Sequence, residues 1–75
     1  MNRYIIDKRI GIVTVIDTQH PEYIKNIATQ PGIQFDDPWI IAYWDGYRDP
    51  KKGWMISPWK IERAEYLCEI LNRQN

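Results

Sequence analysis

The fold of this 75-residue chain depends on residues 39–71, which read WIIAYWDGYRDPKKGWMISPWKIERAEYLCEIL. The stretch begins with an unbroken apolar run, Trp39 to Trp44, and continues into a polar region rich in turn-forming residues, Asp45 to Gly53. A short apolar run, Trp54 to Ile56, then precedes Ser57-Pro58, a pair typical of the cap and first turn of a helix. The pattern therefore predicts a strand, a solvent-exposed loop, a second strand and a long helix.

The residues before this stretch predict a β-hairpin and a short helix. Arg3–Asp7 and Gly11–Asp17 are rich in β-branched residues, and Gly11 can supply a left-handed backbone conformation between them. One long strand with a bulge at Gly11 is the alternative. Pro21 suits the first position of a helix of two to three turns, and Pro31-Gly32 predicts the end of that helix.

Together these elements predict a single α+β domain over residues 1–75, in the order ββαββα, with two helices packed on one face of a small antiparallel sheet. The strands around Ile12–Ile16 and Trp39–Trp44 carry apolar residues on both faces. The helices can cover one face, so the other must meet something else. The predicted core consists of Ile6, Ile12, Ile16, Ile24, Ile27, Ile41, Ile56, Ile61, Ala64, Leu67 and Leu71.

Charge and composition exclude several classes of protein. Ten basic and ten acidic residues cancel, so no global field attracts nucleic acid or an anionic membrane. The longest apolar run has six residues, whereas a membrane-spanning helix needs about 20. The single cysteine, Cys68, rules out an internal disulfide, and the first residues lack the pattern of a secretory signal. We expect a cytoplasmic protein that does not span a membrane.

Residue counts argue against catalysis and against bound metals or cofactors. A nucleophile and its base would have to combine His20, the only histidine, with Cys68 or with Ser57, the only serine. Ser57 already has a capping role, and Cys68 lies in the apolar stripe of the last helix, where a thiol is packing material. A structural zinc site needs four nitrogen or sulfur ligands, and no phosphate-binding glycine motif is present. We therefore predict no enzyme, no metal and no cofactor.

The last helix carries more apolar surface than packing on a sheet requires. At about 100° per residue, one stripe consists of Ile61, Ala64, Leu67, Cys68 and Leu71. A second stripe beside it consists of Trp59, Tyr66 and Ile70. One interpretation is that Trp59 folds back over the sheet while Tyr66 keeps its hydroxyl in water. The other is that the second stripe faces a partner, because contiguous apolar surface usually marks an interface.

The function predicted from these features is a small non-catalytic protein-binding module that acts as an inhibitor or an accessory subunit. Its partner is another protein or a second copy of itself in a homodimer. The predicted partner-binding residues are aromatic or aliphatic: Trp39, Trp44, Trp59, Tyr66 and Ile70.

The alternative function is nucleic-acid binding. Cations alternate with aromatic residues in the 46–53 loop and at the start of the last helix, an arrangement that grips phosphates and stacks bases. The residues concerned are Tyr47, Arg48, Lys51, Lys52, Trp54, Lys60 and Arg63. Asp45, Asp49 and Glu62 lie in the same stretch and offset much of this positive charge, which favours the protein-binding prediction.

Two limited resemblances carry no function to this chain. The sheet followed by a helix beginning at Ser57-Pro58 resembles, in architecture, the arm-binding modules of phage-type integrases and other small mobile-element proteins. The segments around Phe35, Gly53-Trp54 and Leu67-Cys68 are similar to parts of the MbtH-like proteins, but the Ser-x-Trp-Pro core of that family is absent.

Overall fold

The computed structural model describes residues 2–29 and 37–74, so the predicted helix end at Pro31-Gly32 lies outside the described residues. The elements follow in the order β1 (Tyr4–Arg9), β2 (Ile12–Asp17), α1 (Pro21–Thr29), β3 (Ile40–Asp45), β4 (Tyr47–Asp49), β5 (Gly53–Met55) and α2 (Pro58–Gln74). The predicted α+β class is confirmed, and α2 begins at the predicted Pro58.

The main sheet is antiparallel, in the order β1-β2-β3, with β2 at its centre. The hairpin between β1 and β2 is confirmed, because Arg9 pairs with Ile12 across a turn in which Gly11 has φ 75°. A positive φ costs glycine little because it has no Cβ. The alternative of one long bulged strand is therefore wrong, and the irregularity lies instead between Val15 and Ile16, where β2 pairs with β3.

The core lies between one face of this sheet and helix α2. Val13 and Val15 of β2 meet Ala64 and Cys68 of α2. Further partly buried side chains pack around them from β1, β3, α2 and the segment before α2: Tyr4, Ile6, Trp44, Ile56, Leu67 and Leu71. Two predicted core residues are wrong, because 59% of Ile24 and 45% of Ile41 are exposed. The side chain of Ile27 lies outside the described part.

The opposite face of the sheet is apolar but less covered. On β2, Ile12, Thr14 and Ile16 are buried, whereas Ile5 on β1 and Tyr43 on β3 are exposed. The central strand is thus buried on this face, whereas its two neighbours leave apolar surface in contact with solvent. Helix α1 contacts Trp39 through Tyr23. The two rings meet edge to face, with their centroids 6.0 Å apart.

The predicted 46–53 loop contains a strand that the sequence pattern did not reveal. β4 pairs with β5 in a separate two-stranded sheet, so the predicted fourth strand does not extend the main sheet. A three-residue strand is too short to show the alternation by which strands are recognised. The ring of Trp54 lies against Gly11, and a Cβ at Gly46 would collide with the carbonyl oxygen of Met55. The small hairpin therefore packs closely against the turn of the β1-β2 hairpin.

Candidate functional site

The outer side of α2 carries an exposed aromatic groove. Its lining consists of Trp59, Glu62, Arg63 and Tyr66, which enclose about 300 Å³. Trp59 is 56% exposed and Tyr66 is 63% exposed, far more than the other large apolar side chains of the same helix. We call these four residues the α2 aromatic surface.

Helical geometry places this surface opposite the core. At about 100° per residue, Trp59 and Tyr66 lie nearly on one line along the helix, on the side away from Ala64 and Cys68. Ala64 is fully buried and faces the sheet, so Trp59 cannot fold back over the sheet from its own position. The interpretation in which Trp59 covers the sheet is therefore wrong, and the two stripes face opposite directions.

Lys60 orients Trp59. Its ammonium lies 5.6 Å from the centroid of the Trp59 ring and also donates a hydrogen bond to the carbonyl oxygen of Asp45. Because Asp45 ends β3, this contact ties the first turn of α2 to the sheet. A cation held against the ring limits the conformations of Trp59. The Trp59 ring is accordingly restrained in the folded chain.

The other predicted partner-binding residues are placed differently. Trp39 is only 4% exposed, and Trp44 packs into the core beside Val13 and Val15. Both tryptophans therefore have a structural role in the folded chain, and neither contributes to the α2 aromatic surface. Ile70 lies on α2 one turn beyond Tyr66 and is half-buried, at the border of the surface.

The residues of the nucleic-acid alternative lie on two faces of the β4-β5 hairpin and on helix α2. Arg48 pairs with Trp54 across β4 and β5, so these two side chains share a face of the small hairpin. Tyr47 pairs with Met55 and points to the other face, where its hydroxyl lies 3.9 Å from the Met55 sulfur. The backbone N–H groups of both Lys51 and Lys52 donate to the Asp49 carboxylate, which places a negative charge beside the two cations. Lys60 and Arg63 belong to α2 instead.

A second groove, of about 490 Å³, lies between β1 and α2. Asn72 is among its lining residues; its Oδ1 accepts a hydrogen bond from the Tyr4 N–H at 2.9 Å, and its Nδ2 donates to the Tyr4 carbonyl at 3.0 Å. The Cys68 thiol donates to the same carbonyl at 3.2 Å. Burial raises the pKa of this thiol, which disfavours the reactive thiolate. The sequence did not predict a role for Asn72. Polar residues are common near helix ends, and this one carries no local signal of a contact with the first strand.

The main charged group in the interior is Asp17. Its carboxylate accepts two hydrogen bonds from the Arg3 guanidinium, at 2.8 and 2.9 Å, and one from the Gln19 N–H. These donors, with Arg3 foremost, lower the pKa of Asp17 below its ordinary value. The pair joins the start of β1 to the end of β2 and has a structural role.

The residues considered for catalysis have separate structural roles. His20 Nδ1 accepts the N–H of Glu22 and so caps α1, whereas Cys68 bonds to Tyr4. Within residues 2–29 and 37–74, no three His, Cys, Asp or Glu side chains are grouped as metal ligands would be. Over the same ranges no helix has the length and apolar character to cross a membrane.

The chain matches no protein-family model, no curated protein and no solved structure.

Proposed function

We propose that this protein is a non-catalytic protein-binding module that acts as an inhibitor or an accessory subunit. The observation that carries the proposal is the α2 aromatic surface, in which Trp59 and Tyr66 remain more than half exposed on the outer side of a helix whose inner side is buried. Helix α2 packs on the sheet through its inner side, so this packing does not explain why Trp59 and Tyr66 are aromatic. A partner that covers them would explain their position.

The composition of the surface supports a protein partner. Tryptophan, tyrosine and arginine are the residues most enriched at the energetic centres of protein interfaces, and Trp59, Arg63 and Tyr66 are adjacent here. Lys60 restrains the Trp59 ring, so less conformational entropy is lost on binding. Both features favour a surface that binds without rearrangement.

The nucleic-acid alternative rests on Arg48 and Trp54, which share one face of the β4-β5 hairpin. A stacked base and one phosphate would suit that pair. The Asp49 carboxylate beside Lys51 and Lys52 weakens the positive field there. We therefore prefer the protein partner, and we place the module in the cytoplasm because its single cysteine provides no internal disulfide.

The test compares two variants that remove different surfaces. Immobilised wild-type chain, the Trp59→Ala/Tyr66→Ala variant and the Arg48→Ala/Lys51→Ala/Lys52→Ala variant are each exposed to lysate of the source organism, and captured proteins are identified, purified and titrated. We expect a protein partner whose Kd rises at least about 30-fold with the aromatic double variant, because a desolvated anchor contributes about 2 kcal/mol or more. The triple variant should bind that partner as the wild type does.

The opposite pattern would support the nucleic-acid alternative. In that case the wild type binds DNA or RNA with a steep salt dependence, and the triple variant reduces the slope of log affinity against log salt by about 0.7 to 0.9 per lost phosphate contact. Trp59→Ala/Tyr66→Ala would leave such binding unchanged. This result would overturn the protein-binding proposal.

A further inference from the structure

We infer that the outer edge of strand β1 binds the same edge of a second copy of this chain, in an antiparallel arrangement that joins the two main sheets into one. This contact uses a different surface from the α2 aromatic surface, so it goes beyond the proposed function. Three features carry the inference: the unpaired main-chain groups of the edge, the acidic groove beside it, and the register that satisfies both.

Strand β1 lies at one edge of the main sheet, so half of its main-chain groups point away from β2. Tyr4 shows which half, because its N–H and carbonyl bond to the Asn72 side chain. Outward and inward residues alternate along an antiparallel strand, so Ile6 and Lys8 also direct their N–H and carbonyl groups outward. Within the described residues, no partner outside the sheet bonds to these groups of Ile6 or Lys8. The edge therefore offers the pairing groups of two residues to another strand.

The groove between β1 and α2 lies along this edge and has an acidic wall. Ile6 lines it from β1, and Glu65 and Glu69 line it from α2. Glu69 pairs with Arg73 of its own helix, whereas within the described part of the chain Glu65 has no ion-pair partner. A strand that pairs with β1 would place the side chain opposite Ile6 about 5 Å from it, on the face where α2 lies. A cation suits that position.

Strand β1 supplies that cation to a copy of itself. A twofold axis perpendicular to the sheet, between the two Asp7 residues, pairs Ile6 of each copy with Lys8 of the other. Each pair exchanges both of its main-chain hydrogen bonds, because Ile6 and Lys8 point these groups outward. Side chains of directly opposite residues share a face of the sheet, so Lys8 of each copy enters the acidic groove of the other, beside Glu65.

The neighbouring registers satisfy less of the edge. An axis at Ile6 would pair Lys8 with Tyr4, whose main-chain groups already bond to Asn72. An axis at Lys8 would place the two Lys8 side chains opposite one another, and like charges in that position repel. With the axis at Asp7, the two Tyr4 residues lie about 20 Å apart along the strands. The two α2 helices, each bound to Tyr4 through Asn72, therefore end at opposite ends of the contact.

On the other face of the sheet, Arg9 offsets the repulsion between the two Asp7 side chains that face one another across the axis. Arg9 Nε lies 3.2 Å from Asp7 Oδ1 in the same chain. The rotation also brings Arg9 of each copy diagonally beside Asp7 of the other, within reach of a long side chain. The carboxylates and guanidinium groups then form one neutral cluster. Pairing over so few residues buries a small area, so we expect a weak dimer that dissociates on dilution.

Charge exchange tests the contact between Lys8 and Glu65. Sedimentation of the wild type between about 10 µM and about 1 mM should show a reversible monomer–dimer equilibrium. Lys8→Glu alone and Glu65→Lys alone each place like charges in both grooves, and each should raise the dimer Kd at least about tenfold. Lys8→Glu/Glu65→Lys restores opposite charges and should dimerise like the wild type. An equimolar mixture of the two single variants should form a heterodimer, since both of its grooves then hold opposite charges.

Amide hydrogen exchange tests the main-chain pairing. In the monomer the N–H groups of Ile6 and Lys8 point to solvent and should exchange quickly, whereas both should become protected at concentrations where the dimer predominates. The N–H groups of Ile5 and Asp7 point inward to β2 and are the matched controls. Their protection should change much less with concentration.

Two variants separate this contact from other surfaces. Trp59→Ala/Tyr66→Ala removes the rings of the α2 aromatic surface and should leave the dimer Kd unchanged, because neither ring lines the groove beside β1. Lys52→Glu changes an exposed charge on the β4-β5 hairpin and should also leave the dimer Kd unchanged. Circular dichroism checks the fold of each variant. Recovery in the double charge variant also excludes misfolding as the cause of the losses in the single variants.

Three results would overturn the inference. The first is a chain that stays monomeric up to about 1 mM. The second is a dimer on which Lys8→Glu and Glu65→Lys have no effect. The third is a dimer in which the Ile6 and Lys8 amides exchange as they do in the monomer. A monomeric chain whose Ile6 and Lys8 amides become protected only when a captured protein binds would show that the edge pairs with a foreign strand, and would likewise exclude the second copy.

Discussion

Both sides of helix α2 carry apolar side chains, but the two sides differ in what surrounds them. On the inner side, Ala64 and Cys68 are enclosed by Val13 and Val15 of the central strand. On the outer side, the larger rings of Trp59 and Tyr66 remain more than half exposed. The comparison shows that the size of an apolar residue does not determine its burial. Small residues let the helix approach the sheet, and large rings occupy the side that the sheet cannot reach.

The largest expected effect is the difference in unfolding free energy between two variants that place the same charge on opposite sides of the helix. Ala64→Glu puts a carboxylate at a fully buried position without a partner, which should cost about 3 to 5 kcal/mol of unfolding free energy and leave little folded protein. Trp59→Glu puts the same group in solvent and should cost about 1 kcal/mol or less. Urea denaturation followed by circular dichroism, at low micromolar concentration, measures both. Equal losses would mean that the two sides do not differ in burial.

A smaller effect is expected from the buried carboxylate of Asp17. The Arg3 guanidinium holds the pKa of Asp17 below its unfolded value of about 3.9, so the folded state binds fewer protons than the unfolded state near that pH. This stabilisation is fully present above the unfolded pKa and is lost as the pH falls from about 4 through the folded pKa.

Replacing the carboxylate removes that pH dependence. Asp17→Asn should lower the unfolding free energy by about 2 kcal/mol at pH 7, because bonds to an ionised acceptor are lost. It should also flatten the dependence of stability on pH below about 4. Denaturation at a series of pH values tests this, with Asp49→Asn on the exposed hairpin as the matched control. An unchanged acid profile in Asp17→Asn would contradict the assignment.

The contact between the end of α2 and β1 should contribute about 1 to 2 kcal/mol. Asn72→Ala removes the side-chain acceptor of the Tyr4 N–H and leaves the Tyr4 carbonyl with the Cys68 thiol as its side-chain donor. Hydrogen exchange at the Tyr4 amide should become faster, whereas exchange in β2 should change little. The control is Gln74→Ala, which changes an exposed residue at the end of the same helix. It should leave the Tyr4 amide protected.

The smallest effect is expected on the outer side of α2. Trp59→Ala/Tyr66→Ala should change the unfolding free energy of the monomer by no more than about 1 kcal/mol, since both rings are largely in solvent and the contact of Trp59 with Lys60 is exposed. The same double variant should weaken binding strongly. A large loss of stability at low concentration would show that these rings belong to the core, and would remove the difference on which the proposed function depends.

The hairpin, the central position of β2 and the start of α2 were predictable because each has a local signal. Gly11 marks the turn, Ile12–Asp17 has apolar residues on both faces, and Ser57-Pro58 begins a helix. The strand β4 was not predictable, because three residues give no period. The candidate site was predicted in part: the position of Trp59 and Tyr66 on α2 followed from helical spacing, whereas Trp39 and Trp44 were indistinguishable from them by composition.

The sequence by itself therefore determined the α+β class, most of the element order and the existence of two apolar stripes on the last helix, because backbone preference and residue period are local properties. Only the tertiary structure decided which stripe meets the sheet, that Trp39 is buried and Trp44 packs against the core, and that Asn72 binds the backbone of Tyr4. These outcomes depend on which distant surfaces come together. Burial is set by the geometry of packing between elements, and a residue's own chemistry does not contain that information.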